Sequence, residues 1–269
     1  MPADLAALLA DLAAETAALR EILRCLRNED WRADTPAPGW TIGDQVSHLA
    51  YFDRVAVTSA TDPDEFAAEL ARLTAAGTVD PDDISRRYRG MSPGGLLSWF
   101  DDARGELLTV FAGLDPAQRV PWFGPPMSVA SSATARLMET WAHGQDIADT
   151  VGVRREPTQR LRHVAHIGVG ALPFSYAANK LPVPPDPVRV ELTAPSGELW
   201  VWGPDDAVNR VTGPALDFCL LVTQRRHLLD TAVQADGPVA EGWLSIAQAF
   251  AGPPGAGRTP GQFGPAIPR

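Results

Sequence analysis

Residues 134–150 read TARLMETWAHGQDIADT. Glu139 and His143 stand four residues apart in this run, and Asp146 follows three later. At helical spacing Arg136, Glu139, His143 and Asp146 fall on one stripe. A Glu and a His four apart are neighbours on a helix, about 5–6 Å apart at Cβ, and can share one cation. They can equally form a solvated polar pair. Which of these holds depends on what the rest of the chain sets opposite this helix.

The sequence on the N-terminal side is a series of helices. Residues 4–27 carry Leu5, Leu8, Leu9, Leu12, Leu19, Ile22, Leu23 and Leu26, a period of 3.6 that predicts one long helix. A Pro/Gly-rich connection, RADTPAPGW (32–40), follows. Thr41 then reads as an N-cap with Asp44 three residues on, approximating a capping box. It opens a helix over 42–60 with a stripe through Ile42, Val46 and Leu49. The pattern resumes as helix after a break at Pro63, and again over 92–114 behind Ser92-Pro93. Residues 121–128, PWFGPPMS, read as a rigid loop, and 129–150 as a helix that ends at Val151-Gly152. Four long helices in the first 150 residues predict a helix bundle.

After about residue 155 the character changes. Residues 161–180 still read as helical, and LPVPPDP (181–187) as a stiff linker. VRVELT and ELWVWG alternate at period 2 around Ala194-Pro195-Ser196-Gly197, which predicts a hairpin. Trp200 and Trp202 share one face of its second strand, with Val201 on the other. AVNRVTG suggests a third short strand. Gly213-Pro214 should open a helix running through PALDFCLLVTQRRHLL, with Pro in its first turn. A last helix is expected over 238–252. The tail from 253 is rich in Pro and Gly, either disordered or laid over the surface. The expected organisation is an all-α four-helix bundle over 1–155, a smaller α+β domain over 156–252, and a tail over 253–269.

Composition narrows the function classes. The 269 residues include 23 Lys and Arg against 33 Asp and Glu, a net charge of −10. Affinity for phosphate backbones comes mainly from Lys and Arg, so nucleic acid and anionic membranes are not expected partners. No apolar run approaches the ~18 residues of a spanning helix. The start of the chain, MPADLAALLADLAAE, has no basic segment and does not read as a signal peptide. The two cysteines, Cys25 and Cys219, form no CxxC pair and read as buried thiols of a reducing, cytoplasmic setting. Neither is placed to act as a nucleophile.

A catalytic zinc site uses three protein ligands and keeps a position open. Glu139 and His143 supply two. His48, in GWTIGDQVSHLAYFD (39–53), borders the apolar stripe of the second predicted helix. It can serve as a hydrogen-bonded core histidine or, with helices facing across a bundle, as the third ligand. Metal-bound histidines usually donate their other ring N–H to a carboxylate or carbonyl. Asp146, one turn beyond His143, can take that role or pair with Arg136. Tyr51 and Asp53 can line the site, and Trp40, Trp122 and Trp141 can wall it. His163, His166 and His227 read as partly exposed.

The pair GWTIGDQVSHLAYFD and RLMETWAHGQDIAD resembles the DinB-like metal-binding bundles, in particular the mycothiol-dependent maleylpyruvate isomerase family of actinobacteria. The resemblance covers residues 1 to about 150. It implies that His48, Glu139 and His143 hold a divalent metal, most simply zinc, and that the metal activates mycothiol, a low-molecular-weight thiol. The thiol then adds to and leaves an unsaturated organic acid, or is transferred to a small electrophile. VTGPALDFCLLVTQRRHLLDT is similar to a family segment whose helix ends in an arginine, which implies that Arg225 or Arg226 holds an anionic substrate or thiol. The same region is also similar to a domain named for wyosine-base formation in tRNA, and the acidic charge argues against an RNA role. Two other readings remain open at this stage, a non-catalytic metal- or ligand-binding module and a closed structural metal site.

Overall fold

A computed structural model describes residues 4–75, 77 and 80–263. The chain forms two compact units, Met1–Arg155 and Glu156–Arg269.

The first unit is built on four long helices: α1 (Leu5–Arg24), α2 (Ile42–Thr61), α5 (Pro93–Ala112) and α6 (Val129–Val151). α1 packs on α6, α6 on α2, α2 on α5 and α5 on α1, which closes the bundle. Its interior is apolar. Leu19 and Leu23 of α1 meet Val46, Leu49 and Ala50 of α2, Phe100 and Ala103 of α5, and Ile147 of α6. Two shorter helices, α3 (Pro63–Ala75) and α4 (Pro81–Arg86), connect α2 to α5 in sequence and pack on α2. α4 went unread in the sequence although Asp80 and Pro81 stand at its N-cap and first turn, a recognisable start signal. The stretch 121–128 is not wholly loop. β2 (Met127–Ser128) pairs antiparallel with β1 (Arg119–Val120), and Ser128 then caps α6. Gly152, at φ 68°, ends α6 in the left-handed conformation that glycine adopts without a Cβ clash.

One polar network threads this apolar bundle. Asp53 of α2 is fully buried and accepts hydrogen bonds from Arg104 of α5, at 2.8 Å from Nε and 3.3 Å from Nη2. Arg104 also donates to Thr16 of α1 and, at 2.9 Å, to Thr140 of α6. Arg136 of α6 lies on the other side of Asp53, its Nε 3.2 Å from Oδ1. Asp53 thus joins two buried guanidinium groups at the centre of the bundle.

The second unit holds α7 (Leu161–Gly170), α8 (Leu172–Ala178), α9 (Ala215–Val222) and α10 (Pro238–Leu244) with a four-stranded sheet. Its strands are β3 (Val188–Thr193), β4 (Leu199–Trp202), β5 (Asn209–Pro214) and β6 (Gln234–Asp236), in the order β4-β3-β5-β6. β3 and β4 form the expected antiparallel hairpin, and β3 pairs parallel to β5. Trp200 is buried and Val201 exposed, as the alternation requires. β6 had no sequence signal, since its three residues are too few for a period. The helix read over 161–180 divides near Ala171, because Pro173 cannot donate to the turn before it.

Three expectations are corrected here. The helix after Gly213 ends at Val222, not beyond Arg226, and Pro214 precedes its first turn. The Thr223 hydroxyl donates to the Cys219 carbonyl, Gln224 turns left-handed at φ 59°, and the Arg225 and Arg226 amides both close on the Leu220 carbonyl. Arg225 and Arg226 therefore follow the helix rather than ride on it. Arg226 is buried with its guanidinium 4.2 Å from the Phe263 ring centroid. The last helix stops at Leu244. Of the tail, residues 253–263 are described, and the Gly261 amide donates to Asp230; 264–269 lie outside the described residues. Cys219 is buried, but Cys25 is exposed: it caps α1 two residues past Leu23 and so leaves the apolar stripe.

Candidate metal centre

The capping box fixes the start of α2. The Thr41 amide donates to Asp44 Oδ2 at 2.8 Å, and the Asp44 amide to the Thr41 hydroxyl at 3.2 Å. Arg89 clamps the same corner through Asp44 and the Gly39 carbonyl. Gly39 itself is left-handed, φ 79°, which lets the chain turn sharply into Trp40. Trp40 is held in turn by its indole N–H, 2.6 Å from Asp82. This corner sets the register of Gln45 and His48 on the first turns of α2, which packs on α6.

Across that interface Glu139 Oε2 lies 3.1 Å from His48 Nε2 and 3.0 Å from His143 Nε2. One ligand atom from each of the three residues lies within 4.8 Å of the others. Both histidines are nearly buried, and Glu139 keeps 19% of its side chain accessible. Trp40 stacks on His143 with ring centroids 5.7 Å apart and meets His48 edge-on at 5.3 Å. Phe52 packs against His48 from the other side at 4.6 Å.

The hydrogen bonds define what this cluster can hold. The Thr35 hydroxyl donates to the Trp40 carbonyl, so it accepts from the Gln45 amide NH₂ at 2.8 Å. That turns the Gln45 carbonyl toward His143, whose Nδ1–H donates to it. A neutral His143 then presents a bare Nε2 lone pair to the Glu139 carboxylate, acceptor against acceptor. A divalent cation relieves that conflict, and two imidazole nitrogens with one carboxylate oxygen form a donor set that suits zinc and its first-row neighbours. His48 Nδ1 is buried with no hydrogen-bond partner among the described residues, so the two histidines are supported differently.

Charge in the cluster is tuned by burial and proximity. Burial, with His143 and Arg136 close by, pushes the His48 imidazole down to about 4 against the pull of Glu139. Burial favours the neutral acid at Glu139, but the proximity of the His143 and His48 imidazoles outweighs it and holds the carboxyl well below its ordinary value. His48 is therefore neutral near pH 7. The unfolded chain protonates this histidine from about pH 6.5, whereas the folded chain does so only near 4. Between those values the unfolded state binds the extra proton, so stability falls as pH drops, by on the order of 3 kcal/mol. Chelator-treated protein should show this loss in denaturant titrations at pH 7 and 4.5. An equal loss in His48→Asn would rule out this histidine as its source.

The other sequence candidates are distributed around the cluster. Arg136 is buried beside Phe52, its guanidinium 5.9 Å from that ring, and meets Asp53 instead of Asp146. Asp146 is fully buried one turn beyond His143, whose Nδ1 is met by Gln45. Tyr51 sits against Phe52 and Tyr88. Trp122 packs on Phe52 and Phe66, while Trp141 lies under Arg155. Arg225 and Arg226 belong to the second unit. Sequence reading missed Gln45, because nothing in a polar helix residue announces its partner on another helix. It missed Arg104 too, although a charge on the stripe of Phe100, Ala103 and Leu107 is a readable anomaly.

Comparison with known proteins agrees with this architecture. Residues 12–148 match the family described as mycothiol maleylpyruvate isomerase N-terminal domain, and residues 184–236 match one described as wyosine base formation. Two uncharacterised proteins of Mycobacterium tuberculosis, from strains CDC 1551 / Oshkosh and H37Rv, are each 49% identical over 256 residues, covering 95% of this chain and all of theirs. Crystal structures of the mycothiol-dependent maleylpyruvate isomerase and of a mutant of it share the fold, with TM-score 0.57 and 15% identity over 88% of this chain and 96% of theirs. Among the described residues no helix is long and apolar enough to cross a membrane. With more than half its length matched, including both halves of the His48 and Glu139–His143 cluster, the chain belongs to the mycothiol maleylpyruvate isomerase N-terminal domain family.

Proposed function

We propose that this chain is a metal- and mycothiol-dependent enzyme that isomerises an unsaturated organic acid or transfers the thiol to a small electrophile, with His48, Glu139 and His143 holding the metal. The observation that carries this reading is the convergence of two Nε2 atoms on Glu139 Oε2 with the Gln45 carbonyl fixing the tautomer of His143. A divalent ion held by three protein ligands, zinc foremost, keeps a position open and lowers the pKa of a thiol that binds it. The chain's own residues do the rest. Gln45 keeps the His143 Nε2 lone pair directed inward. Trp40 and Phe52 cover the imidazoles and exclude water from them. The thiol comes from outside, since Cys25 caps α1 and the Cys219 thiol, pushed up by burial, donates to the Leu161 carbonyl. Two free cysteines and a small-thiol cofactor fit a cytoplasmic setting, and the net charge of −10 favours small-molecule partners over nucleic acid.

Zinc-loaded protein supplied with mycothiol and a panel of electrophiles and cis-unsaturated acids should consume thiol or isomerise at least one of them. If zinc binds but neither reaction occurs across the panel, the enzyme reading fails and a binding module takes its place. Gln45→Leu should weaken zinc binding by about 10–100-fold, the usual effect of removing a group that orients a ligand histidine. Competition titration against a chromogenic chelator measures it, and an affinity within threefold of the parent removes Gln45 from the site.

A further inference from the structure

We propose that Arg136 is the anion anchor of this site, receiving the carboxylate of a flat, unsaturated organic acid next to the metal ligands. The inference rests on the function proposed above and assigns the residue that holds the substrate's charge. Arg136 lies on α6 one turn before Glu139 and on the same stripe, so its side chain and the donor set share one face. It is 97% buried, yet its Nε and Nη2 have no hydrogen-bond partner among the described residues. Asp53 does not fill them. That carboxylate is taken by Arg104 through two hydrogen bonds, which leaves Arg136 an ion contact at 3.2 Å without hydrogen-bond geometry. Buried guanidinium donors are nearly always satisfied, and two left over beside a cluster of ligating groups mark a position built for an incoming acceptor.

Charge balance agrees. Arg104 and Arg136 offset Asp53 and Glu139, so a divalent ion added to this centre leaves two positive charges for a thiolate and one carboxylate to neutralise. The surroundings give the shape. Phe52 touches both His48 and the Arg136 guanidinium, and Trp122 and Phe123 pack on Phe52 at 6.3 and 5.8 Å. A planar apolar segment attached to the carboxylate suits such walls, and a guanidinium fork matches a carboxylate in two hydrogen bonds.

The test uses the full chain loaded with zinc and crotonate as the probe, with zinc content measured on every sample. Arg136→Gln should keep stoichiometric zinc and weaken crotonate binding in calorimetry by about 10–150-fold, the range for a hydrogen bond to a charged group. Arg136→Lys should keep the charge and recover part of the affinity. A structural role alone would lower the melting temperature and leave the crotonate Kd within twofold of the parent, and that result overturns the proposal. Should the glutamine variant not fold, the parent decides. Its Arg136 Nε–H resonance, assigned by its loss in Arg136→Lys, must shift on adding crotonate, and an unmoved signal overturns the proposal equally. Absence of zinc from the parent would instead overturn the function proposed above, while the resonance would still report on Arg136.

Discussion

Glu139→Ala is expected to abolish tight zinc uptake while the bundle stays folded. Glu139 is the only acidic member of the donor set, and burial keeps His48 neutral near pH 7. Its Oε2 is also the atom that both imidazoles approach. Removing it leaves two imidazole nitrogens and no counter-charge for a divalent ion. The loss should exceed the ~100-fold reached when only a supporting residue is removed. His48→Ala and His143→Ala should each behave likewise. The effect on folding should be smaller, since Glu139 is partly accessible and the apolar core of Leu19, Leu49, Phe100 and Ile147 does not include it. Elemental analysis after dialysis reads the outcome. Stoichiometric zinc in all three variants would show that the metal lies elsewhere.

Asp53→Ala should have the largest effect on stability, about 3–5 kcal/mol in urea titrations. Breaking a buried ion pair by removing one partner costs this much because the remaining charge is buried without compensation. Here two charges are stranded, Arg104 and Arg136, both at most 3% exposed. The same logic makes a second variant informative. Asp53→Ala combined with Arg104→Met removes one stranded cation and should recover part of the loss, since apolar groups can replace buried ions at little cost. A loss below about 1 kcal/mol for Asp53→Ala, or no recovery in the double variant, would mean that the network does not bear on stability.

How much of this was legible follows from the range of each interaction. Glu139 and His143 could be paired from spacing, because the i, i+4 rule is local to one helix. The capping box at Thr41 and Asp44 was legible for the same reason and is present in the structure. His48 was different. Its position on the next helix permitted a third ligand, and only the likeness of the two motifs to a family joined it to the others. Gln45 could not be found in this way, since its role depends on where α2 meets α6. Asp53, a candidate lining residue in the sequence, is buried between two arginines, because Arg104 arrives from α5, a helix whose register against α2 no local pattern encodes. The helix expected through Arg225 and Arg226 ends at Val222. Its apolar run gives no stop signal, and the end is made by a left-handed Gln224 where glycine or asparagine would have been the readable sign.

The most direct test of the metal-and-thiol reading is X-ray absorption at the zinc edge before and after adding mycothiol. Zinc bound by His48, His143 and Glu139 should show nitrogen and oxygen neighbours alone at first, then one sulfur at about 2.3 Å once the thiol is present. Glu139→Ala should give neither spectrum. A first shell that holds sulfur before the thiol is added, or one that stays unchanged after it, would contradict an open metal centre that takes its thiol from outside.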